Sequence, residues 1–358
     1  MTGDLKGLVL AGGTGSRLRP LTYTRAKQLL PLANRPILFY ALDALAEADI
    51  RDVGIIVGDT AAEVEEAVGD GAAFGLHVTY IPQDAPRGLA HAVATARPFL
   101  GDAPFLMYLG DNVLKGGVAH LAQEFLAHAW DASVLLTPVD RPEEFGVAVL
   151  DGDRLVRLVE KPKDPPSNLA LVGVYLFRPA IHDQIARLTP TWRNEYEITE
   201  AIQGLLDSGR TVHAVTVRGY WKDTGRPEDV LDANRLMLED VERTVAGTVD
   251  EASLLQGRVR VEAGAVIRGS TIRGPVVIGA GAEITDSFIG PFTSIGPGVR
   301  IQKTEIENSV VLQDAVLEDV PARVEGSLIG VGARVRRRTG PVKAISLLLG
   351  DHAQVEGL

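Results

Sequence analysis

The hydrophobic positions along the chain follow two different periods. Over the first 240 residues short β-rich runs recur at 6–11, 53–58, 77–81, 105–110, 133–139, 146–150, 172–177 and 213–217. Between several of them apolar residues return at helical spacing. In 36–48, Pro36 just after Asn34 is a helix-start signal, and Ile37, Tyr40, Leu45 and Ala48 follow at near-helical steps. Further helices are expected at 60–68, 88–97, 117–129, 179–187, 197–208 and 227–242. Strands alternating with helices predict parallel βαβ units in a doubly wound, Rossmann-like α/β sheet. In such a sheet ligands bind just beyond the C-terminal ends of the strands.

From about residue 255 the helical period disappears. Ile272, Ile278 and Ile284 stand six residues apart, and the triplet returns as Ile289, Ile295 and Ile301. Ile306 and Leu312 continue the series, and Ile329 follows Leu312 at the coil period. The turn residues repeat as well, in IGAGAEI (278–284) and IGPGVRI (295–301). A strict period this short marks a solenoid. Six residues per step suit short flat faces with one inward aliphatic each, three faces to a coil. The expected organisation is a first domain over 1–242, a connector over 243–256, a β-solenoid over 257–340 and a capping tail over 341–358.

Composition narrows the function classes. The 358 residues are 46% hydrophobic and 23% charged, an ordinary globular balance. There is no cysteine, which excludes disulfides, thiol catalysis and Cys-ligated metal sites. MTGDLKGLVL runs straight into a buried strand rather than a signal peptide, and no apolar run approaches the ~20 residues of a membrane span. A cytoplasmic protein with no membrane association is expected. The net charge of −11 argues against general nucleic-acid binding. Against that charge, residues 5–42 hold Lys6, Arg17, Arg19, Arg25, Lys27 and Arg35 and no acidic side chain. A basic block in an acidic protein is a candidate anion site.

The chemistry is concentrated after the first strand, in Ala11-Gly12-Gly13-Thr14-Gly15-Ser16-Arg17-Leu18-Arg19-Pro20. Glycines there let backbone N–H groups approach phosphate oxygens closely. The dinucleotide fingerprint read from Gly13 needs glycine at 18 and meets Leu18; the Walker pattern read from Gly12 needs glycine at 17 and meets Arg17. The turn is therefore a phosphate site ending in a cation, and a nicotinamide oxidoreductase is disfavoured.

LAGGTGSRLRPLT (10–22) with KQLLPLANRPI (27–37) resembles the opening of the sugar-1-phosphate nucleotidylyltransferases, most closely the long form of the glucose-1-phosphate thymidylyltransferases. The likeness continues, in family order, through QDAPRGLAHA (83–92), YLGDN (108–112), FGVAVLDGDRLVRLVEKP (145–162), NEYEIT (194–199) and WKDTGRPEDVLDANR (221–235). The tail is similar to the hexapeptide-repeat left-handed parallel β-helix; the period supports the solenoid, and the hand comes from the resemblance.

The resemblance implies transfer of dTMP from dTTP to α-D-glucose 1-phosphate with release of pyrophosphate, in nucleotide-sugar biosynthesis. The sugar phosphate is already anionic near neutral pH, so no protein general base is required. Charge neutralisation, in-line positioning and Mg²⁺ are required. Arg17 and Lys27 are the implied catalytic cations, and Asp111 and Asp223 the implied Mg²⁺ ligands. Leu10, Gly12, Gly13, Thr14, Gly15, Gln28, Gln83, Gly88, Leu89 and Gly110 are implied for the nucleotide; the Gln83 amide suits a pyrimidine imide edge. Arg87 departs from the acidic or apolar residue common at its position, which bears on nucleotide preference. Gly146, Glu160, Lys161, Gly173, Tyr175 and Trp221 are implied for the sugar phosphate. Alternative readings are a UTP- or other-sugar-specific nucleotidylyltransferase, a non-catalytic regulatory homologue, and a bifunctional enzyme with an acyltransferase tail. The stretch 250–345 contains no histidine, so the tail is expected to build a homo-oligomer rather than transfer acyl groups. The seven histidines show no metal-ligand spacing.

Overall fold

The computed structural model describes residues 5–217, 219–337 and 351–356. The chain forms two compact units: 1–14, 25–29 and 37–223 make the first, and 15–24, 30–36 and 224–358 the second.

The first unit is built on a nine-stranded sheet. Its main path runs Arg154–Glu160, Gly146–Asp151, Leu169–Phe177, Phe105–Leu109, Lys6–Leu10, Asp52–Val57, His77–Pro82. The strands Phe105–Leu109, Lys6–Leu10, Asp52–Val57 and His77–Pro82 are parallel, as the alternating pattern predicts. The remainder is not: Leu169–Phe177 runs antiparallel to three neighbours, so the sheet is mixed.

Successive residues of the central strands divide between two buried clusters. Leu8, Leu10, Phe105 and Met107 belong to one, and Val9, Val53, Leu106 and Tyr108 to the other. Side chains alternate across a strand, so both faces of the sheet are covered. The helix Ile37–Glu47 buries Leu38, Leu42 and Leu45 in the second cluster, and Ile198–Asp207 buries Ile198, Ile202 and Leu205 in the first. The single helix expected over 88–97 is two, Leu89–Thr95 and Arg97–Leu100, with Pro98 in the first turn of the second. A two-stranded ribbon, Asn112–Leu114 with Trp221–Asp223, stands apart from the main sheet and has no counterpart in the strand pattern.

The second unit contains three parallel sheets of six, six and five short strands, the arrangement of a parallel β-helix of the left-handed hexapeptide type. The isoleucine period is its interior: Ile272 pairs Ile289, Ile278 pairs Ile295, and Ile284 pairs Ile301. Leu312 does not continue the stack as expected. Val311 pairs Ile295 and Ile329 in its place, because the step from Ile306 is one residue short. A second repeat lies at one corner, where the backbone N–H groups of Ser270, Ser287 and Thr304 donate to the hydroxyls of Ser253, Ser270 and Ser287 at 3.0, 3.0 and 3.2 Å. These bonds satisfy buried donors that a tight corner strips of ladder partners. The stretch expected as a connector already carries Thr244–Val245, Thr248–Val249 and Leu254–Gln256, which pair with the following coil.

One face of the β-helix is covered within the same unit. Val277 packs with Ala33, Leu238 and Val241, the last two from the helix Pro227–Glu239 and the residues after it. Buried Asn234 ties this together: its Oδ1 accepts from Ala33 N (2.9 Å) and Ser294 Oγ (2.7 Å). The capping element expected at 341–358 lies mostly outside the described residues. No helix among the described residues is long and apolar enough to cross a membrane.

Candidate active site

Three of the four parallel strands each deliver an expected residue at their C-terminal ends. Lys6–Leu10 leads into Gly12 and Gly13, Phe105–Leu109 into Gly110 and Asp111, and His77–Pro82 into Gln83. Gly12 and Gly13 carry no side chain, which lets others close in. Gln83 Oε1 stands 3.3 Å, and Lys27 Cε 3.1 Å, from where a Cβ on Gly12 and on Gly13 would be. Gln28 is 1% exposed, and its Oε1 has no hydrogen-bond partner. A buried acceptor of this kind calls for a donor from a ligand or water. Leu10 and Leu89 pack with the first buried cluster, and Thr14 is exposed at the turn.

Lys27 Nζ donates to Asp111 Oδ2. The other carboxylate oxygen of Asp111 accepts from Asn112 Nδ2 at 3.1 Å. Burial alone would raise the Asp111 carboxyl; the Lys27 charge and the hydrogen bonds from Lys27 and Asn112 outweigh it and hold the group below the ordinary carboxylate range. The ribbon register sets Asp223 opposite Asn112, so the two acidic residues, far apart in sequence, become neighbours. Asn112 also accepts from Trp221 Nε1 at 2.6 Å, which links the tryptophan to the same corner.

Asn112 leaves no room for a side chain at Gly173, where a Cβ would stand 2.5 Å from its Oδ1. Gly146 is similarly crowded by Thr199 and by Glu160 Oε2, 3.1 Å from a Cβ position. Glu160 Oε2 accepts from Thr199 Oγ1 at 3.1 Å. Its Oε1 faces Arg193 Nη1 at 3.6 Å and Lys161 Nζ at 4.0 Å. Burial raises the Glu160 carboxyl despite those cations. Lys161 holds φ 39, a left-handed value unusual outside glycine, just where the strand ends. Tyr175 is buried and stacked on Phe177 at 5.9 Å; burial, then the Glu160 charge, push its phenol up.

Arg193, Glu197 and Thr199 are not among the expected site residues, although Glu197 and Thr199 lie in the NEYEIT stretch that carries part of the resemblance. Arg193 Nη1 lies 3.3 Å from Glu197 Oε1 as well as near Glu160, so one guanidinium bridges two carboxylates. Burial, and next the Glu160 charge, push Glu197 up to about 7 from 4.5. The folded chain therefore holds this proton more tightly than the unfolded chain. The stability it contributes is full below pH 4.5 and is lost as the pH climbs through about 7. Thermal melts across this window should show Glu197→Gln with a flatter profile than the parent. Parallel profiles would show that Glu197 does not carry the pH dependence.

Gly88 has φ 97, and a Cβ there would meet Tyr196 O at 2.5 Å, so this position excludes any other residue. Arg87, the departure noted in the sequence, donates through Nη2 to Asp84 Oδ2 at 2.7 Å. Gly15 and Arg17 belong to the second compact unit. Gly15 has φ 63 and its carbonyl accepts from Thr22 Oγ1 at 2.7 Å; Arg17 sits in the one-turn helix Ser16–Leu18 that follows.

Among the described residues no group of three or more His, Cys, Asp or Glu side chains is arranged to hold a metal ion. A divalent cation that binds triphosphate does not need one, since Mg²⁺ commonly takes one or two carboxylates and completes its shell with phosphate and water. Asp111 and Asp223 supply hard oxygen of that kind, and they fit such an ion.

A glycine turn at strand ends, a lysine paired with a buried aspartate and a carboxylate–guanidinium cluster together suit phosphate and polyol ligands. Comparison with known proteins agrees. Residues 6–240 match the nucleotidyl transferase family. A glucose-1-phosphate thymidylyltransferase of Streptomyces antibioticus is 53% identical over 98% of this chain and 99% of its own length. The enzyme of the same name from Streptomyces griseus is 53% identical over the same shares. A solved Bacillus anthracis chain, provisionally named glucose-1-phosphate thymidylyltransferase, superposes with TM-score 0.63 at 36% identity, covering 67% of this chain and 97% of that one. The turn, the strand order and these matches lead to one conclusion: the chain belongs to the nucleotidyl transferase family.

Proposed function

We propose that the chain is a glucose-1-phosphate thymidylyltransferase, moving dTMP from dTTP to α-D-glucose 1-phosphate. The observation that carries this reading is the near-full-length likeness to the Streptomyces antibioticus enzyme. The Lys27–Asp111 bond, and the ribbon register that sets Asp223 opposite Asn112, support it.

One sugar-phosphate oxygen forms a bond to the α-phosphorus of dTTP while the bond from that phosphorus to the bridging oxygen breaks, and pyrophosphate departs with that oxygen. The Gly12–Gly15 turn and Gln28 receive the nucleotide, and Gln83 with the Gly88–Leu89 backbone reads its base. Glu160, with Gly146 and Gly173 leaving space beside it, accepts from sugar hydroxyls, while Lys161 faces the sugar phosphate. Tyr175 and Trp221 back this pocket. Arg17 and Lys27 neutralise charge at the phosphates, which rises in the transition state. Asp111 and Asp223 would hold Mg²⁺, which when bound stabilises the departing pyrophosphate. No side chain is needed as a base.

The remaining assignments follow the same reading. The catalytic domain is assigned to 1–242, the protein is placed in the cytoplasm, and the β-helix, without a histidine over 250–345, is assigned to assembly of a homo-oligomer.

A pyrophosphate-release panel of sugar 1-phosphates against dTTP, UTP, ATP, CTP and GTP tests the reading. dTTP with glucose 1-phosphate should give the highest kcat/KM, and UTP should still react. A single methyl group in an apolar pocket separates substrates by only about 10–200-fold. A UDP-glucose pyrophosphorylase with TM-score 0.58 and 25% identity makes UTP the second reading. Equal or better kcat/KM with UTP would move the assignment there.

A further inference from the structure

A glutamine amide reads a base ambiguously, because its oxygen and nitrogen ends exchange by a half-turn of the side chain. Thymine and uracil present an N3–H donor, and cytosine presents a bare N3 acceptor. An amide oxygen facing the base suits the first two, and an amide N–H suits the third. At Gln83 the neighbouring side chains favour one orientation. Gln83 Nε2 lies 2.8 Å from His91 Nδ1. His91 Nε2 lies 3.6 Å from Asp84 Oδ1, and the other oxygen of Asp84 takes Arg87 Nη2 at 2.7 Å. The carboxylate favours the tautomer that carries its proton on Nε2, which leaves Nδ1 as an acceptor. Gln83 can then only donate to it, and Oε1 is turned to the opposite side, over Gly12 at the nucleotide turn. The ring is held in place by stacking on Tyr196 at 6.2 Å and 25°, and Thr95 Oγ1 donates to the His91 carbonyl at 2.9 Å.

We propose that Arg87, Asp84 and His91 form a relay that points the Gln83 oxygen at the base, so that the site selects imide pyrimidines over cytosine. His91 is a positioning residue here; it does not touch the nucleotide. The inference rests on the reading that Gln83 meets the base. It also gives a place to Arg87, whose cation holds the carboxylate at the start of the relay.

The test is the ratio of kcat/KM for dTTP to that for dCTP, measured by pyrophosphate release with glucose 1-phosphate on the full chain. His91→Phe keeps a ring against Tyr196 and loses the acceptor. The ratio should fall about tenfold, the scale of one orienting hydrogen bond, and the change should appear in KM for dTTP rather than in kcat. His91→Gln restores an acceptor and should recover the ratio. If His91→Phe does not fold, Asp84→Ala at an exposed position should lower the ratio about threefold. An unchanged ratio in His91→Phe, or in Asp84→Ala when that variant stands in for it, overturns the relay. Gln83→Ala separates the two ideas. If it collapses the ratio while His91→Phe does not, the relay alone is wrong. If Gln83→Ala also leaves the ratio intact, the base-reading role fails and the relay with it.

Discussion

Asp111→Asn and Asp223→Asn should each lower turnover about a thousandfold, at the upper end of what one preorganised electrostatic group supplies. The neutral amide keeps the shape of the carboxylate but cannot offset the charge of a bound divalent ion. The two substitutions differ in their second effect. Asp111 is 9% exposed and pairs with Lys27, so Asp111→Asn takes a charged partner from a half-buried ammonium and should also lower the melting temperature. Asp223 lies across the ribbon from Asn112, and its replacement keeps both members of the Lys27–Asp111 pair. Steady-state rates over a Mg²⁺ titration, with circular dichroism to check folding, separate the metal effect from the structural one. A near-parent rate in either variant at saturating Mg²⁺ would remove that residue from the metal site.

Lys27→Met should lower kcat by about a hundredfold or more. The methionine stem replaces the aliphatic part that passes Gly13, so the turn keeps its packing while the charge is lost. Two consequences should appear together. Phosphate charge in the transition state goes uncompensated on this side, and the Asp111 carboxyl, no longer held down by the ammonium, rises. Lys27→Arg should recover only part of the rate, because a planar fork cannot occupy the space of a compact ammonium beside Gly13. A defect confined to KM, with kcat unchanged, would mean that Lys27 contributes uniform binding and not transition-state stabilisation.

Glu160 and Arg193 show where reading the chain succeeds and where it stops. Glu160 stands in a short motif at the end of a strand, so its chemistry and its place on a binding edge are both local. Arg193 reaches Glu160 across a distance in sequence that no period or spacing encodes. The same contrast holds for Arg87. Its charge is plain in the sequence, yet only the fold shows that Asp84 takes it and that His91 stands on the other side of that carboxylate.

The sequence by itself determined the parallel strands at the heart of the sheet, the glycine turn that follows the first of them, and the repeating interior of the β-helix. Each is written in residues close together: short β-rich runs, apolar returns at helical spacing, aliphatics every six. These patterns reflect backbone geometry, which acts over a few residues at a time. Tertiary structure alone decided the rest. It reversed Leu169–Phe177 within the sheet, replaced Leu312 by Val311 in the aliphatic stack, and placed residues 15–24 and 30–36 in the same compact unit as the β-helix. It also paired Asn112–Leu114 with Trp221–Asp223, bringing Asp223 beside Asp111. Side-chain meetings of this kind depend on the packing of whole elements against one another, and a packed arrangement is settled by shape and burial over the entire unit rather than by any local pattern.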